Sequence, residues 1–154
     1  MIEKARKIAL DAHSGQVDKT GWPYINHALC VSEMEIINSQ DKTIVALLHD
    51  VIEDTDVTYD NLREHGFSEE IINSIRLLTK TKDTKLDVYF ENIKADPVAR
   101  AVKIADLTHN TDKSRWDAPG AGWKDLSEQE RKNRLEWFKK KRKEYKKWRD
   151  YLNL

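Results

Sequence analysis

The stretch Leu47–Thr55 reads "LLHDVIEDT" and sets His49, Asp50, Glu53 and Asp54 inside an otherwise apolar run. Burying an unpaired charge costs several kcal/mol or more, about 20 in the idealised limit, so four ionisable groups here need either water or a partner. The surrounding "DKTIVALLHDVIED" has the pattern of one helix, and on a helix residues four apart share a face. His49 is then expected to stack with Glu53 and Asp50 with Asp54, leaving Leu47, Leu48, Val51 and Ile52 for a core. Two readings follow from these residues alone: a polar helix face on which Glu53 holds His49, or a site in which something cationic holds all four.

Two other segments favour the second reading. "GWPYINHA" places His27 a turn inside a helix, and "VKIADLTHN" places Asp106 on another, with Asn110 four residues on. An imidazole from one helix, a His–Asp pair from a second and an aspartate from a third can converge as a mixed nitrogen and oxygen site. Such a donor set suits Mn²⁺, Fe²⁺, Zn²⁺, Co²⁺ or Ni²⁺ better than Ca²⁺. With no thiolate cluster, a closed structural zinc site is disfavoured and an open site with room for water is expected.

The rest of the chain reads as helix. Ile2, Ala5, Ile8, Ala9 and Ala12 trace one face, with Gly15 as a stop. Pro23 suits the first turn of a second helix running through Ile37. Thr58 caps a short helix ending at Gly66, Ser68 starts another, and 86–94 is helical. Asp96 as N-cap and Pro97 at the first helical position open a strong helix lined by Val98, Ala101, Val102 and Ala105. Ser127 and Glu130 form a capping box opening a long last helix. No alternating β-branched run argues for a sheet. The expected class is all-α, a single domain over 1–154 with its core at about 1–116 and a basic C-terminal helix at about 127–152.

Composition excludes several classes. The chain has 154 residues, enough for a sizeable core without staples, and 35% of them are charged. No apolar run approaches the roughly 20 residues of a membrane span. Cys30 is the lone cysteine, and it reads as a small buried hydrophobe on the second helix. A cytoplasmic location is the expectation. Net charge is zero, yet residues 127–154 hold 11 Lys/Arg against 5 Asp/Glu, while the remainder holds 16 against 22. Within "KKKRKEYKKWR" and its flanks, Leu135, Phe138, Tyr145, Trp148 and Leu152 recur at near-heptad spacing. That stripe is expected to bury against the body, with its lysines pairing to the acidic surface. Binding along nucleic acid and a homodimer seam are the other uses of such a helix.

The four segments "AHSGQ", "GWPYINHA", "ALLHDVIEDT" and "VKIADLTHN" answer the patterns AH-x-GQ, G-x-PYI-x-HP, ALLHD-x-x-ED and K-x-ADR-x-HN, in that order. In this the chain resembles the HD superfamily of metal-dependent phosphohydrolases, and in particular the hydrolase domain of RelA/SpoT-type stringent-response enzymes and their small stand-alone relatives. The resemblance runs from about Ala12 to Asp112. It implies an HD-domain helical bundle with His27, His49, Asp50 and Asp106 as metal ligands, usually of Mn²⁺. It also implies Glu53 and Asp54 as the catalytic acidic pair, Asn110 as a substrate- or water-positioning residue, and Lys19 as a matched basic position for substrate. The implied reaction is hydrolysis of the 3′-diphosphate of ppGpp or pppGpp.

Asp18 stands where the family commonly has an arginine, Leu107 replaces the arginine of Ala-Asp-Arg, and Ala28 replaces a proline. An aspartate at 18 is expected to repel a polyphosphate, which motivates a different nucleotide, a 5′-nucleoside monophosphate or NADPH, as alternative substrate. A non-catalytic, metal-bound regulatory or nucleic-acid-binding module is the rival from another class. His13 reads as a capping or packing histidine, His65 as a surface one, and His109 as an outer partner of the site or a structural residue. Trp22 and Tyr24, beside His27, read as core aromatics more than as a base-stacking pair.

Overall fold

The computed structural model describes residues 1–154, and all its regular structure is helical apart from an isolated bridge between Val17 and Pro23. The helices are α1 (Ile2–Ala12), α2 (Ile25–Ser32), α3 (Gln40–Leu48), α4 (Val51–Asp54), α5 (Tyr59–Glu64), α6 (Glu69–Leu78), α7 (Leu86–Ala95), α8 (Pro97–Asn110), α9 (Ser114–Asp117) and α10 (Glu128–Asn153), with a 3₁₀ turn at Ala121–Trp123. The caps read from sequence are present. Thr58, Ser68, Asp96 and Ser127 each accept a hydrogen bond from a first-turn N–H, and Thr58 and Ser127 do so within capping boxes.

Helix α3 is the axis of the bundle. Ile44 to Leu48 are all fully buried, so this helix is apolar on every side, as a central helix must be. It packs against α1, α2, α6 and α8, while α8 in turn contacts α2, α6, α7 and α10. Ala99, Ala101 and Ala105 keep α8 slim enough for close approach. The mutual contacts of α2, α3 and α8 bring together the three helices that carry His27, His49 and Asp106.

Two elements depart from the sequence reading. The third helix is not continuous through Asp54: it stops at Leu48 and resumes as α4. The His49 ring donates from Nδ1 to the Ala46 carbonyl at 2.6 Å, the acceptor that an unbroken helix offers to the N–H of residue 50. Asp50 consequently sits at φ −108°, ψ −3°. The second helix ends at Ser32 instead of Ile37. Its hydroxyl donates to the Leu29 carbonyl at 2.7 Å, and the chain turns so that Ile37 enters the core.

Helix α10 joins the main core through fully buried Leu152 and half-buried Tyr145 and Trp148, with Trp148 stacked on Phe90 at 4.2 Å. Phe138 packs with Trp116 and Trp123 in a second, smaller core. The stripe is thus buried as expected, apart from Leu135, which remains 38% exposed. The expected pairing of tail cations with the acidic surface is absent. The tail's ion pair is internal, Lys141 to Glu144; Arg131, Arg134 and Arg142 reach backbone carbonyls instead, and Arg149 a hydroxyl. Cys30 is exposed, contrary to expectation, because α2 buries the face carrying His27, Ala28 and Val31.

Candidate metal centre

A cavity of about 440 Å³ opens where α2, the α3–α4 break and the C-terminal half of α8 meet, and His27, Asp50, Glu53, Asp54, Asp106, Asn110 and Lys19 all line it. His27, His49 and Asp106 are buried, and Asp50 is mostly so. His49 Nε2 lies 2.9 Å from Asp50 Oδ2 and 3.7 Å from Asp106 Oδ1. His27 Nε2 lies 2.9 Å from Asp106 Oδ1 and 3.9 Å from Asp50 Oδ2. Two imidazole nitrogens and two carboxylates therefore converge from three directions.

The donor set fits a cation for a specific reason. The Ala46 carbonyl fixes the proton of His49 on Nδ1, so in the neutral ring Nε2 presents a lone pair. That atom is buried and, despite the nearness of Asp50, makes no hydrogen bond. A lone pair facing two carboxylates is repulsive unless a proton or a metal ion lies between them. Without a metal, burial opposes protonation of His49, but the Asp50 carboxylate overrides it and holds the imidazole pKa well above its ordinary value. A divalent cation would fill the proton's place between His27, His49 and Asp50, whose ligand atoms lie within 4.8 Å of one another, with Asp106 beside both imidazoles.

The surrounding residues hold these four in place. Lys103 Nζ lies 2.8 Å from Asp106 Oδ2, and Asn110 Nδ2 donates to Asp106 Oδ1 at 2.9 Å. Burial alone would raise the Asp106 pKa, but the Lys103 ammonium holds it well below the usual carboxylate range. Tyr24 donates its hydroxyl to Asp50 Oδ2, and burial followed by the Asp50 charge pushes its own pKa far up. His109 Nδ1 lies 2.6 Å from His27 Nδ1. Burial, then the neighbouring His27, lowers its pKa to about 3, so it stays neutral and can accept from the His27 ring.

Glu53 and Asp54 are exposed to the cavity, and with Asp50 they form a second group whose ligand atoms lie within 4.8 Å of one another. Glu53 does not hold His49, as the polar-face reading required. Its Oε1 accepts from the Lys80 N–H at 2.5 Å, leaving its other oxygen for the cavity. Partial withdrawal from water raises the pKa of both carboxyls, with Asp50 adding to the rise.

Other expected positions resolve as follows. His13 is buried, bonded to Gln16 Oε1 at 2.8 Å and tilted against Tyr24, while His65 is an exposed helix-end residue. Trp22 is 45% exposed, not core, with its Nε1 donating to the Ala118 carbonyl. Lys19 lies over the Trp137 ring at 4.1 Å. Asp18 is not a free negative charge: its Oδ2 meets Arg115 at 3.0 Å. Sequence reasoning missed Lys103 and Arg115. Lys103 was visible three residues before Asp106 on one helix face, whereas Arg115 is 97 positions from its partner and no local signal marks it.

A helical bundle that gathers a histidine, a His–Asp pair and an aspartate beside one cavity defines the histidine–aspartate class of divalent-metal proteins. The chain belongs to the HD domain family, which matches residues 5–86. It is 37% identical over 115 residues to guanosine-3′,5′-bis(diphosphate) 3′-pyrophosphohydrolase of Haemophilus influenzae, covering 67% of this chain and 17% of that protein. It is 35% identical over 123 residues to the bifunctional (p)ppGpp synthase/hydrolase SpoT of Escherichia coli, covering 71% and 17%. The chain thus spans about a sixth of the length of these relatives. A solved structure of a metazoan ortholog of SpoT, described as hydrolysing ppGpp and acting in starvation responses, superposes with a TM-score of 0.64 at 26% identity. That match covers 90% of this chain and 82% of the other. No helix here is long and apolar enough to cross a membrane.

Proposed function

We propose that residues 1–154 form one hydrolase domain that removes pyrophosphate from the 3′ position of ppGpp or pppGpp, with Mn²⁺ held by His27, His49, Asp50 and Asp106. The observation that carries this reading is the unbonded Nε2 of His49 between two carboxylates, with the Glu53–Asp54 pair at the mouth of the same cavity. Support for the substrate comes from the relatives named as acting on that nucleotide. A cytoplasmic place in the stringent response follows from the same reading.

A divalent cation here supplies charge neutralisation at the phosphate and a more acidic water. Glu53 is anchored through one oxygen by the Lys80 backbone, so its other oxygen is positioned to take the proton of an attacking water. Its raised pKa suits a group that must accept a proton and return it. Water adds to the 3′-phosphorus, the ester bond to the 3′-oxygen breaks, and GDP or GTP leaves with pyrophosphate. Asp54, beside Glu53, orients that water. Asn110 positions Asp106, and Lys19 offers its ammonium to the phosphates.

The test incubates Mn²⁺-loaded protein with ppGpp, pppGpp, NADPH and nucleoside monophosphates and separates the products by ion exchange. Pyrophosphate and GDP from ppGpp, lost in Asp50→Ala and Glu53→Ala, are expected. Phosphate from another nucleotide keeps the site and overturns the substrate. Metal binding with salt-dependent nucleic-acid binding and no turnover supports the regulatory reading instead.

A further inference from the structure

Asp18 pairs with Arg115, an arginine 97 positions away in the chain that lines the same cavity. Asp18 is 11% exposed and is itself locked: its Oδ1 accepts from the Thr20 N–H at 2.8 Å, the Thr20 hydroxyl at 2.5 Å and the Trp22 N–H at 3.3 Å. Its other oxygen holds Arg115 Nη2 at 3.0 Å. Arg115 Nη1 reaches the His109 carbonyl at 3.2 Å and Asn110 Oδ1 at 3.4 Å. A guanidinium has five N–H donors, so about two remain unengaged. The side chain is only 16% exposed, yet it lines the cavity, next to the asparagine that bonds Asp106.

The loop bearing Asp18 is fixed by a second loop. Gly120 N–H donates to the Thr20 carbonyl at 2.8 Å, Gly122 N–H to the Gly21 carbonyl at 2.9 Å, and Trp123 Nε1 to the Lys19 carbonyl at 2.7 Å. Gly21 sits at φ +87°, and a Cβ there would meet the Gly120 carbonyl at 2.8 Å, so the two backbones interlock. Arg115 and Lys19 are thereby held on one rigid wall of the cavity. A guanidinium restrained in this way loses little freedom on gripping a phosphoryl group with two parallel N–H bonds.

We propose that Arg115, bracketed by Asp18, is the phosphate clamp of this chain and binds the diphosphate that leaves during hydrolysis. The proposal rests on the hydrolase reading for its substrate, but its binding chemistry is that of any diphosphate. Asp18 is then a positioning residue, not a repulsive one.

The test measures kcat and KM for ppGpp together with the Kd for labelled inorganic pyrophosphate, by equilibrium dialysis against protein loaded with Mn²⁺. Arg115→Ala is expected to raise KM and Kd about 10- to 100-fold, the worth of charged hydrogen bonds, with kcat within roughly threefold and metal content unchanged. Arg115→Lys, which keeps the charge and the Asp18 pair, should lose about three- to tenfold and covers the case in which the alanine variant fails to fold. The Arg115→Ala variant also leaves Asp18 unpaired, so the Asp18→Asn/Arg115→Ala double variant separates the two effects. Affinity that stays weak in the double variant supports the clamp. Affinity restored to wild type, or a KM and Kd indifferent to Arg115, overturns it. Arg115-dependent pyrophosphate binding in a protein that leaves ppGpp intact keeps the clamp and overturns the hydrolase reading.

Discussion

Lys103 supplies the counter-charge of Asp106 that a bound metal ion would share, and replacing Lys103 with methionine tests that overlap. The Lys103 ammonium lies 2.8 Å from Asp106 Oδ2 with only 12% of its side chain exposed. Methionine keeps most of the aliphatic stem, so the loss is mainly electrostatic. Breaking a buried ion pair from one side costs about 3–5 kcal/mol. Asp106 keeps the hydrogen bond from the Asn110 amide, which places the expected cost for metal-free protein at the lower end, about 3 kcal/mol. In a chain of this size that corresponds to a fall in Tm of roughly 10 °C. With a divalent cation beside Asp106 the carboxylate is compensated again, and the cost should drop below about 1 kcal/mol. Linkage then requires the variant to bind Mn²⁺ about 2 kcal/mol more tightly, roughly 30-fold. Urea melts followed by circular dichroism, in chelator and in saturating Mn²⁺, measure the two costs, and calorimetry measures the affinity. An equal penalty in both conditions with unchanged Mn²⁺ affinity would refute the shared role of Asp106.

Trp148→Ala removes the ring stacked on Phe90 and should destabilise by about 2–3 kcal/mol, less than a fully buried tryptophan, as read from the urea midpoint. A shift below about 0.5 kcal/mol would mean that the tail does not dock on the core. His109 holds its proton off down to about pH 3, while in the unfolded chain it protonates near 6.5. Unfolding therefore takes up a proton between these values, and the His109 contribution to stability falls as pH drops from about 6.5 towards 3. The difference in stability between wild type and His109→Gln, both metal-free, should narrow over that window. A difference independent of pH would show that His109 is not buried neutral.

Much of this molecule is written locally. A cap needs one side chain and the next turn, so Thr58, Ser68, Asp96 and Ser127 mark helix starts that tertiary packing has no reason to move. The meeting of His27, His49 and Asp106 was legible because three short motifs each bring their own helix register, and the bundle only has to bring α2, α3 and α8 together. What local reasoning could not see depends on competition between a side chain and the backbone. The polar pattern of "DKTIVALLHDVIED" fits an unbroken helix, but it does not say that His49 will take the Ala46 carbonyl. Ser32 likewise ends α2 by bonding backward to Leu29. The misread face of Cys30 follows from that helix: His27 must point at the site, which fixes the rotation of α2 and leaves Cys30 outside. The Asp18–Arg115 pair depends on two loops meeting, which no periodicity encodes.

The charge asymmetry of the chain also finds a structural use. The last carbonyls of a helix have no intrahelical partners and carry the negative end of its dipole. At the C-terminal end of α8, just beyond Asp106, Arg142 donates to the Thr111 carbonyl at 2.9 Å, Arg149 to the Thr111 hydroxyl at 3.3 Å, and Arg115 to the His109 carbonyl at 3.2 Å. The favour is returned at the other end, where Arg100 near the start of α8 donates to the Leu152 carbonyl at 2.6 Å. The two helices thus run antiparallel and cap one another with arginines. Because α8 carries Asp106 and Asn110, the basic tail fixes the axial position of the helix on which the centre depends. A cation directed at a carbonyl needs no acidic partner, so Arg131, Arg134 and Arg142 dock the tail without any ion pair to the acidic body.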